Sequence, residues 1–336
     1  MDTQKLQATA RAMVAKGKGI LAADESNATC HKRFATVGVP ETEEMRRAYR
    51  ELLLTAEGNE KYLSGVILFD ETLRQSTADG IPFAKILIDR GIIPGIKVDK
   101  GPVPFACHDG EVITQGLDGL RERFAEYAAL GAGFAKWRAV ITIDTAKNLP
   151  SDECMRANAG LLAMYALYAQ EAGIVPMLEP EVILDGVHTI DTSAEVTGRA
   201  IKILFEEMMR YGVYLPGVVL KTSMVVPGSK SGQAMNADEV GDRTSRVLLA
   251  NVPESIGGVV FLSGGQTPLD STKNLNAIAK KGPYPWGLTY SFSRGIQEPV
   301  LSLWKGDSSK TSDAQKVFLE RLKDSSDASL GEYLPK

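Results

Sequence analysis

A closed α/β barrel of the TIM (β/α)8 class is the fold that the sequence predicts, on three observations. Eight short runs rich in Val, Ile and Leu recur along the chain, their starts 28 to 45 residues apart. Each run is nearly continuous in hydrophobic character, as strands covered on both faces are, and each closes on polar or charged residues. Helical patterns fill most of the intervals, and nothing inside residues 1–300 reads as a linker. A doubly wound open sheet is the other arrangement weighed. It expects a GxGxxG turn after the first strand, whereas GKGILAAD places its glycines ahead of that strand.

In chain order, a helix over 3–16 precedes the first strand run, GILAAD (19–24). A helix over 42–57 with acidic residues in its first turn leads to SGVILF (64–69) and then IIPGIKV (92–98). Asp118 is placed to cap a helix over 119–130 that stops before Gly131, and FAKWRAV (134–140) follows. Ser151 opens a helix over 152–172, ahead of VPMLEP (175–180). Asp191 opens one over 192–211, ahead of GVVLKTS (217–223). A helix over 238–250 precedes Pro253 and GVVFLSG (258–264), and one over 267–280 precedes WGLTYSF (286–292). Past Trp304 the chain turns Ser/Asp/Lys-rich, with one amphipathic helix near 312–324 and a tail from Ser325 to Lys336. The expected division is a catalytic barrel over 1–304 and a C-terminal helix and tail over 305–336.

Composition narrows the function classes. The 336 residues carry a formal net charge of -4, which supplies no electrostatic footprint for nucleic acid. Cys30, Cys107 and Cys154 lie far apart without CxxC spacing, which suits a reducing compartment rather than a disulfide framework. His31, His108 and His188 form no HxH, HxxxH or HExxH pair, so no histidine-rich metal site is expected. No apolar run approaches the roughly 20 residues that span a bilayer, and no leader pattern is read in MDTQKLQATARAMVAKGKGI. A soluble cytoplasmic protein with no membrane or nucleic-acid partner is the expectation.

Most strands carry charge at or near their C-terminal ends (Asp24 and Glu25, Asp70, Lys97 and Asp99, Lys136 and Arg138, Glu179 and Glu181, Lys221, and Arg294 after the eighth), and Ser263 ends the seventh. That face is where barrel active sites are built. A single such charge is often no more than a solvated rim residue, but the same habit at eight strands points to a polar, anionic ligand. Period-two alternation puts Lys136 with Arg138, and Glu179 with Glu181, on common faces.

Lys221 follows Val218, Val219 and Leu220. An apolar setting and a second cation such as Lys136 would favour a neutral amine, which carbonyl addition requires. A buried lysine simply paired with Glu179 fits the same pattern, and both readings stand. Lys97 sits nearer a loop, as a salt-bridge or phosphate ligand. In VVFLSGGQTP, Ser263, Gly264 and Gly265 directly follow a strand and precede a helix, so their backbone N–H groups are placed to hold a phosphate that Arg294 could clamp. Glu179, Glu181 and Asp24 are carboxylates able to move protons if their pKa values are separated. An ion pair of Glu181 with Arg138 or Lys136 is the equal alternative.

Together GILAADESNATCHKR, GIKVDKG, QGLDGL, FAKWR, VPMLEPE, LKTSMVVPG, FLSGGQ and LTYSFSR, spread over residues 17–304, resemble the class I fructose-bisphosphate aldolases. SNATC and LFDETLRQST are most similar to the plastid and bacterial branch. The resemblance implies a TIM barrel that reversibly cleaves fructose 1,6-bisphosphate to dihydroxyacetone phosphate and glyceraldehyde 3-phosphate in glycolysis and gluconeogenesis. It implies a lysine Schiff base with no metal and no cofactor, and a homotetramer. By motif, Lys221 becomes the Schiff-base lysine, with Lys136 and Arg138 as the nearby active-site cations. Glu179 becomes the acid/base for imine formation and proton transfer, Glu181 its charge-tuning partner, and Asp24 the group that takes the C4 hydroxyl proton. Ser263, Gly264, Ser293 and Arg294 correspond to the C1-phosphate site. Ser26, Thr29 and Lys97 correspond to the C6-phosphate site, with Arg33 close by.

Three departures accompany the match. Thr222 follows Lys221 where the family usually has proline, and Pro216 stands where glutamate usually precedes glycine. In GEYLPK, Tyr333 is the one candidate for a tail tyrosine that in many relatives reaches the active site. Another Schiff-base barrel, of the transaldolase or deoxyribose-phosphate aldolase type, and a catalytically silent barrel scaffold are the competing readings.

Overall fold

The computed structural model describes residues 1–335. Eight parallel strands close in sequence order: β1 (Gly19–Ala23), β2 (Leu63–Leu68), β3 (Ile93–Lys97), β6 (Phe134–Ile141), β7 (Val175–Val182), β8 (Val219–Thr222), β9 (Gly258–Phe261) and β10 (Leu288–Phe292). β10 pairs back onto β1 through Ile20 with Ser291 and Leu21 with Phe292, which completes the predicted TIM barrel. A two-stranded antiparallel hairpin, β4 (Pro102–Pro104) and β5 (Val112–Thr114), lies outside it and is absent from the sequence reading. Three residues per strand are too few to show alternation.

The helical shell comprises α2 (Asn27–Ala35), α3 (Glu43–Thr55), α4 (Asp70–Arg74), α5 (Phe83–Asp89), α6 (Leu120–Ala129), α7 (Asp152–Glu171), α8 (Ile190–Arg210), α9 (Ala237–Asn251), α10 (Pro268–Ala279), α11 (Arg294–Trp304) and α12 (Thr311–Ser329). The long amphipathic members fall where periodicity puts them, but two caps move. Thr189, not Asp191, caps α8 by accepting from Thr192 N–H, and α6 starts behind Gly119 at φ 66° with no side-chain cap. Patterning does not predict α2, α4, α5 or α11. The first three have at most nine residues, and α11 contains Pro299. Proline removes the N–H that would bond the Gly295 carbonyl. Arg321 of α12 donates to that carbonyl instead, at 3.1 Å through Nη2 and 3.2 Å through Nε, so the helix survives its breaker.

Strand alternation divides the core in two. Outward residues such as Leu21, Ala135, Trp137, Leu178, Leu220 and Phe261 pack under the helices. Inward residues of the lower barrel, Ile20, Ala22, Ile67, Phe134, Val175, Met177, Val219 and Val260, form a separate cluster. The N-terminal helix α1 (Thr3–Met13, expected to reach 16) plugs this end with Leu6, Ala10 and Met13. The barrel interior is therefore dry below and becomes charged only toward the C-terminal ends of the strands.

Helix α12 outruns its expected end at 324 and takes up the first residues assigned to the tail. Ser326 Oγ donates to the Gly17 carbonyl at 2.6 Å, and Tyr333 is buried with its N–H on Asn276 Oδ1 at 3.0 Å. Gly17 precedes β1 and Asn276 lies in the last turn of α10, so the Tyr333 segment docks at the N-terminal end of the barrel. Among the described residues, Tyr333 is thus not placed to reach the strand ends. Pro216, in the turn Leu215–Gly217 before β8, belongs to the same end and packs beside α1.

Phe134 fills the barrel axis because Gly95 leaves room for it. A Cβ at Gly95 would stand 2.2 Å from the Phe134 ring. Gly95→Ala is expected to cost about 1–3 kcal/mol by overpacking, measured by urea unfolding, and Phe134→Leu in the same chain should recover part of it.

Candidate active site

The inward positions above the apolar layers hold Asp24 after β1, Lys136 and Arg138 on β6, Glu179 and Glu181 on β7, and Lys221 on β8. They line a cavity of about 600 Å³ at the C-terminal face. Lys97, Ser26, Thr29, Arg33, Ser263, Gly264, Ser293 and Arg294 line it too. The fourteen residues to which the resemblance assigns a catalytic or phosphate-binding place therefore meet in one cavity, whereas Asp70, Asp99, Gly265 and Tyr333 do not line it.

Its centre is a chain of alternating charges. Lys136 Nζ lies 2.7 Å from Asp24 Oδ2 and 3.1 Å from Glu179 Oε2, and Lys221 Nζ lies 3.0 Å from Glu179 Oε1. The Lys136 contact to Glu179 lacks hydrogen-bond geometry and leaves Oε2 otherwise unpartnered. Lys221 and Lys136 are 3% and 4% exposed, and the carboxylates pair with both in surroundings where an unpaired charge is costly. Burial alone would raise the Asp24 carboxyl, but Lys136, with Lys221 and Lys97, outweighs it and holds the group well below its usual range. Burial is likewise overcome at Glu179 by Lys136, Lys221 and Arg138, which lower its carboxyl. Burial would lower the Lys136 ammonium, yet Asp24, Glu179 and Asp99 push it well above its usual value. Lys136 is thus a fixed cation between two carboxylates.

Lys221 is buried in an apolar strand and paired with Glu179, which is the ion-pair alternative of the sequence reading. Arg138 Nε pairs with Glu181 Oε2, so that alternative for Glu181 is also realised. Lys97 Nζ pairs with Asp99 Oδ1 at 2.8 Å, and Asp99 Oδ2 accepts from the Arg138 N–H. Thr222 is fully buried in β8 opposite Phe261 and leaves the Lys221 amine in the cavity.

The rim is built by two helix starts. Ser26 caps α2 by accepting from Thr29 N–H at 3.4 Å, which brings both hydroxyls to the mouth. Two strands round the barrel from β1, after β9, Gly264 adopts φ 52°, where a Cβ would stand 2.7 Å from Leu262. Gly265, at φ 88°, lies against the Arg294 guanidinium. The turn is followed by the Thr267 cap before α10 opens at Pro268. The helix that opens directly at the cavity wall is α11, at Arg294. Cationic side chains outnumber carboxylates around the cavity, as an anionic ligand requires.

Several wall residues carry no role in the sequence reading. Glu25 pairs with Arg33 and with Arg50, and accepts from Ser293 and Gln297. Ser291 Oγ, on β10 at the cavity wall, is buried without a partner. Arg50 could be found only as a charged residue on the buried face of an amphipathic helix, and Ser291 by alternation within LTYSF. None of His31, His108, His188, Cys30, Cys107 or Cys154 lines the cavity. Among the described residues no group of three or more His, Cys, Asp or Glu side chains could hold a metal ion. Among the described residues no helix is long and apolar enough to cross a membrane.

Because the Asp24 carboxyl sits below its unfolded value of about 3.9, its ionisation stabilises the fold above that pH and the contribution is lost as pH falls through the acid range. Urea unfolding between pH 6 and pH 2 is expected to show a shallower acid-side loss of stability in Asp24→Asn than in the parent chain.

The family model described as "Glycolytic: Fructose-bisphosphate aldolase class-I" matches residues 5–336. A "Probable fructose-bisphosphate aldolase class 1" of Xanthomonas campestris is 51% identical over 334 residues, covering 99% of each chain. The "Fructose-bisphosphate aldolase" of Dictyostelium discoideum is 48% identical over 330 residues, covering 98% of this chain and 92% of its own. The solved fructose-bisphosphate aldolase of Plasmodium falciparum, in complex with TRAP and a small-molecule inhibitor, superposes with a TM-score of 0.98 at 44% identity, covering 99% of this chain and 96% of that one.

Proposed function

The chain belongs to the class I fructose-bisphosphate aldolases, and from that premise we propose how its own side chains divide the work. It is a lyase of the glycolytic type, cleaving fructose 1,6-bisphosphate reversibly to dihydroxyacetone phosphate and glyceraldehyde 3-phosphate. The observation that carries the assignment of roles is the Lys221–Glu179–Lys136–Asp24 chain at the cavity floor.

Lys221 is the nucleophile. Glu179 Oε1, 3.0 Å from Nζ, takes the proton that the amine must lose before it adds to the C2 carbonyl. The same group returns a proton to the carbinolamine oxygen as water leaves and the imine forms. Asp24, held ionised beside Lys136, accepts the C4 hydroxyl proton. The O–H electron pair becomes the new carbonyl, the C3–C4 bond breaks, and its pair enters the imine to give the enamine. Protonation at C3 and hydrolysis then release dihydroxyacetone phosphate and free Lys221. Throughout, the Lys136 ammonium stabilises negative charge on either carboxylate and on the developing oxyanions. Glu181, paired with Arg138, keeps that guanidinium aimed at the cavity.

Ser263, Gly264, Ser293 and Arg294 hold the C1 phosphate through backbone N–H groups, hydroxyls and the guanidinium. Ser26, Thr29, Lys97 and Arg33 serve the C6 end. Residues 1–304 act as the catalytic unit, buttressed by 305–336. We place the protein in the cytoplasm as a homotetramer of the plastid and bacterial branch; SNATC and LFDETLRQST support the branch, and a cytosolic Arabidopsis thaliana aldolase, 46% identical, supports the location.

Borohydride reduction in the presence of dihydroxyacetone phosphate is expected to leave a covalent adduct on Lys221, read by peptide mass spectrometry; an unmodified Lys221 would refute the mechanism. Lys221→Met should lower kcat by at least about 10³-fold while leaving the fold intact, and treatment with a chelator should leave the parent's rate unchanged.

A further inference from the structure

One buried cation lies just behind the cavity wall without forming part of it. Arg50 of α3 is 2% exposed and is not among the cavity-lining residues. Its Nη2 donates to Glu25 Oε2 at 2.6 Å and its Nη1 to Gln297 Oε1 at 3.3 Å. Glu25 Oε1, in turn, accepts from Arg33 on α2, from Ser293 Oγ at 2.7 Å and from Gln297 Nε2 at 3.0 Å. Arg33 Nη1 also donates to Ser293 Oγ at 3.0 Å. Gln297 is anchored to the barrel itself, through Nε2 to the Ala22 carbonyl at 2.7 Å. Phe34 of α2, Tyr49 of α3 and Trp304 of α11 pack ring against ring in the same helix layer.

This network joins the two walls assigned above to the two phosphates. One wall is the segment from β1 into α2, with Glu25, Ser26, Thr29 and Arg33. The other is the start of α11, with Ser293 and Arg294. Glu25 is the node between them, and as an anion on the wall of an anion-binding cavity it opposes the ligand unless it is neutralised. Arg33 alone cannot do this and also serve a phosphate. Arg50 supplies the missing positive charge from behind, where no substrate atom reaches.

We propose that Arg50 is a positioning residue that, through Glu25 and Gln297, holds the two phosphate-binding walls in register and shares with Arg33 the neutralisation of Glu25. The proposal rests on the assignment of those walls under Proposed function. Its signature is selective. A ligand that spans both walls depends on their separation, whereas a ligand with one phosphate depends on it less.

The experiment compares fructose 1,6-bisphosphate with fructose 1-phosphate as substrates for the full chain and for Arg50→Met, Arg50→Lys and the double variant Arg50→Met/Glu25→Gln. Arg50→Met is expected to raise KM for the bisphosphate about tenfold with kcat within about twofold, and to raise KM for the monophosphate by less than about threefold. Arg50→Lys keeps the charge but loses the planar fork, and should show the same split at smaller amplitude. The double variant removes the orphaned carboxylate and should recover part of the lost bisphosphate affinity. Unchanged KM values in Arg50→Met, or an equal loss of kcat with both substrates, would overturn the proposal. Should Arg50→Met fail to fold by circular dichroism, Arg50→Lys decides: an unchanged ratio of kcat/KM for the two substrates overturns it. If the parent chain itself yields no Lys221 adduct on borohydride reduction, the reading beneath the proposal fails instead, so the two failures are told apart.

Discussion

Two ammonium groups sit inside a barrel whose lower half is dry, and that constraint organises the rest of the structure. Lys136 and Lys221 are almost wholly removed from solvent, and an unpaired charge there would be neutralised or expelled. Asp24 and Glu179 make the site possible by alternating with them. The same pairing that allows burial is what the proposed chemistry draws on, because a carboxylate close enough to compensate an ammonium is close enough to exchange a proton with it. Strength and chemistry are here one set of contacts. The arrangement demands neighbouring strands in fixed register, which a closed barrel supplies: β6 and β7 pair Arg138 with Glu179 along the ladder, and β8 follows directly.

Stability and function occupy opposite ends of the barrel. At the N-terminal end, α1 fills the mouth with apolar side chains, the segment around Tyr333 docks beside α10, and Pro216 shapes the entry to β8. At the C-terminal end, the strands stop in charged residues, and α2 and α11 open at the cavity wall. Between the ends, aromatic packing of α2, α3 and α11 ties the cavity walls around Arg33 and Ser293 to the shell. Of the positions that depart from the family pattern, Pro216 lies at the N-terminal end of β8 and Thr222 is buried in its strand.

Much of the site is legible in the chain because a strand's side chains alternate with period two. Phe134, Lys136 and Arg138 had to share a face, as did Met177, Glu179 and Glu181, and an apolar residue below a charged one marks the inside of a barrel near its functional end. Long helices were legible for the same kind of reason. Short ones were not. A nine-residue α2 and a proline-containing α11 are held by contacts from elsewhere, such as Arg321 on the Gly295 carbonyl, and local pattern cannot register a donor that arrives from another helix. Glu25 was visible as a charge at a strand end, but its partners Arg50 and Gln297 lie 25 and 272 residues away.

By itself, then, the sequence determined the barrel, the order of its strands and the residue types that would face its upper interior, since these follow from periodicity and from the free energy of burying apolar surface. Only the tertiary structure decided which opposite charges meet. It settled that Lys221 is both strand-buried and paired with Glu179, that Lys136 stands between two carboxylates, and that Arg33 and Ser293 share Glu25. The reason is physical: hydrophobic burial is non-directional and can be read locally, whereas an ion pair depends on ångström distances that exist only once the barrel has closed.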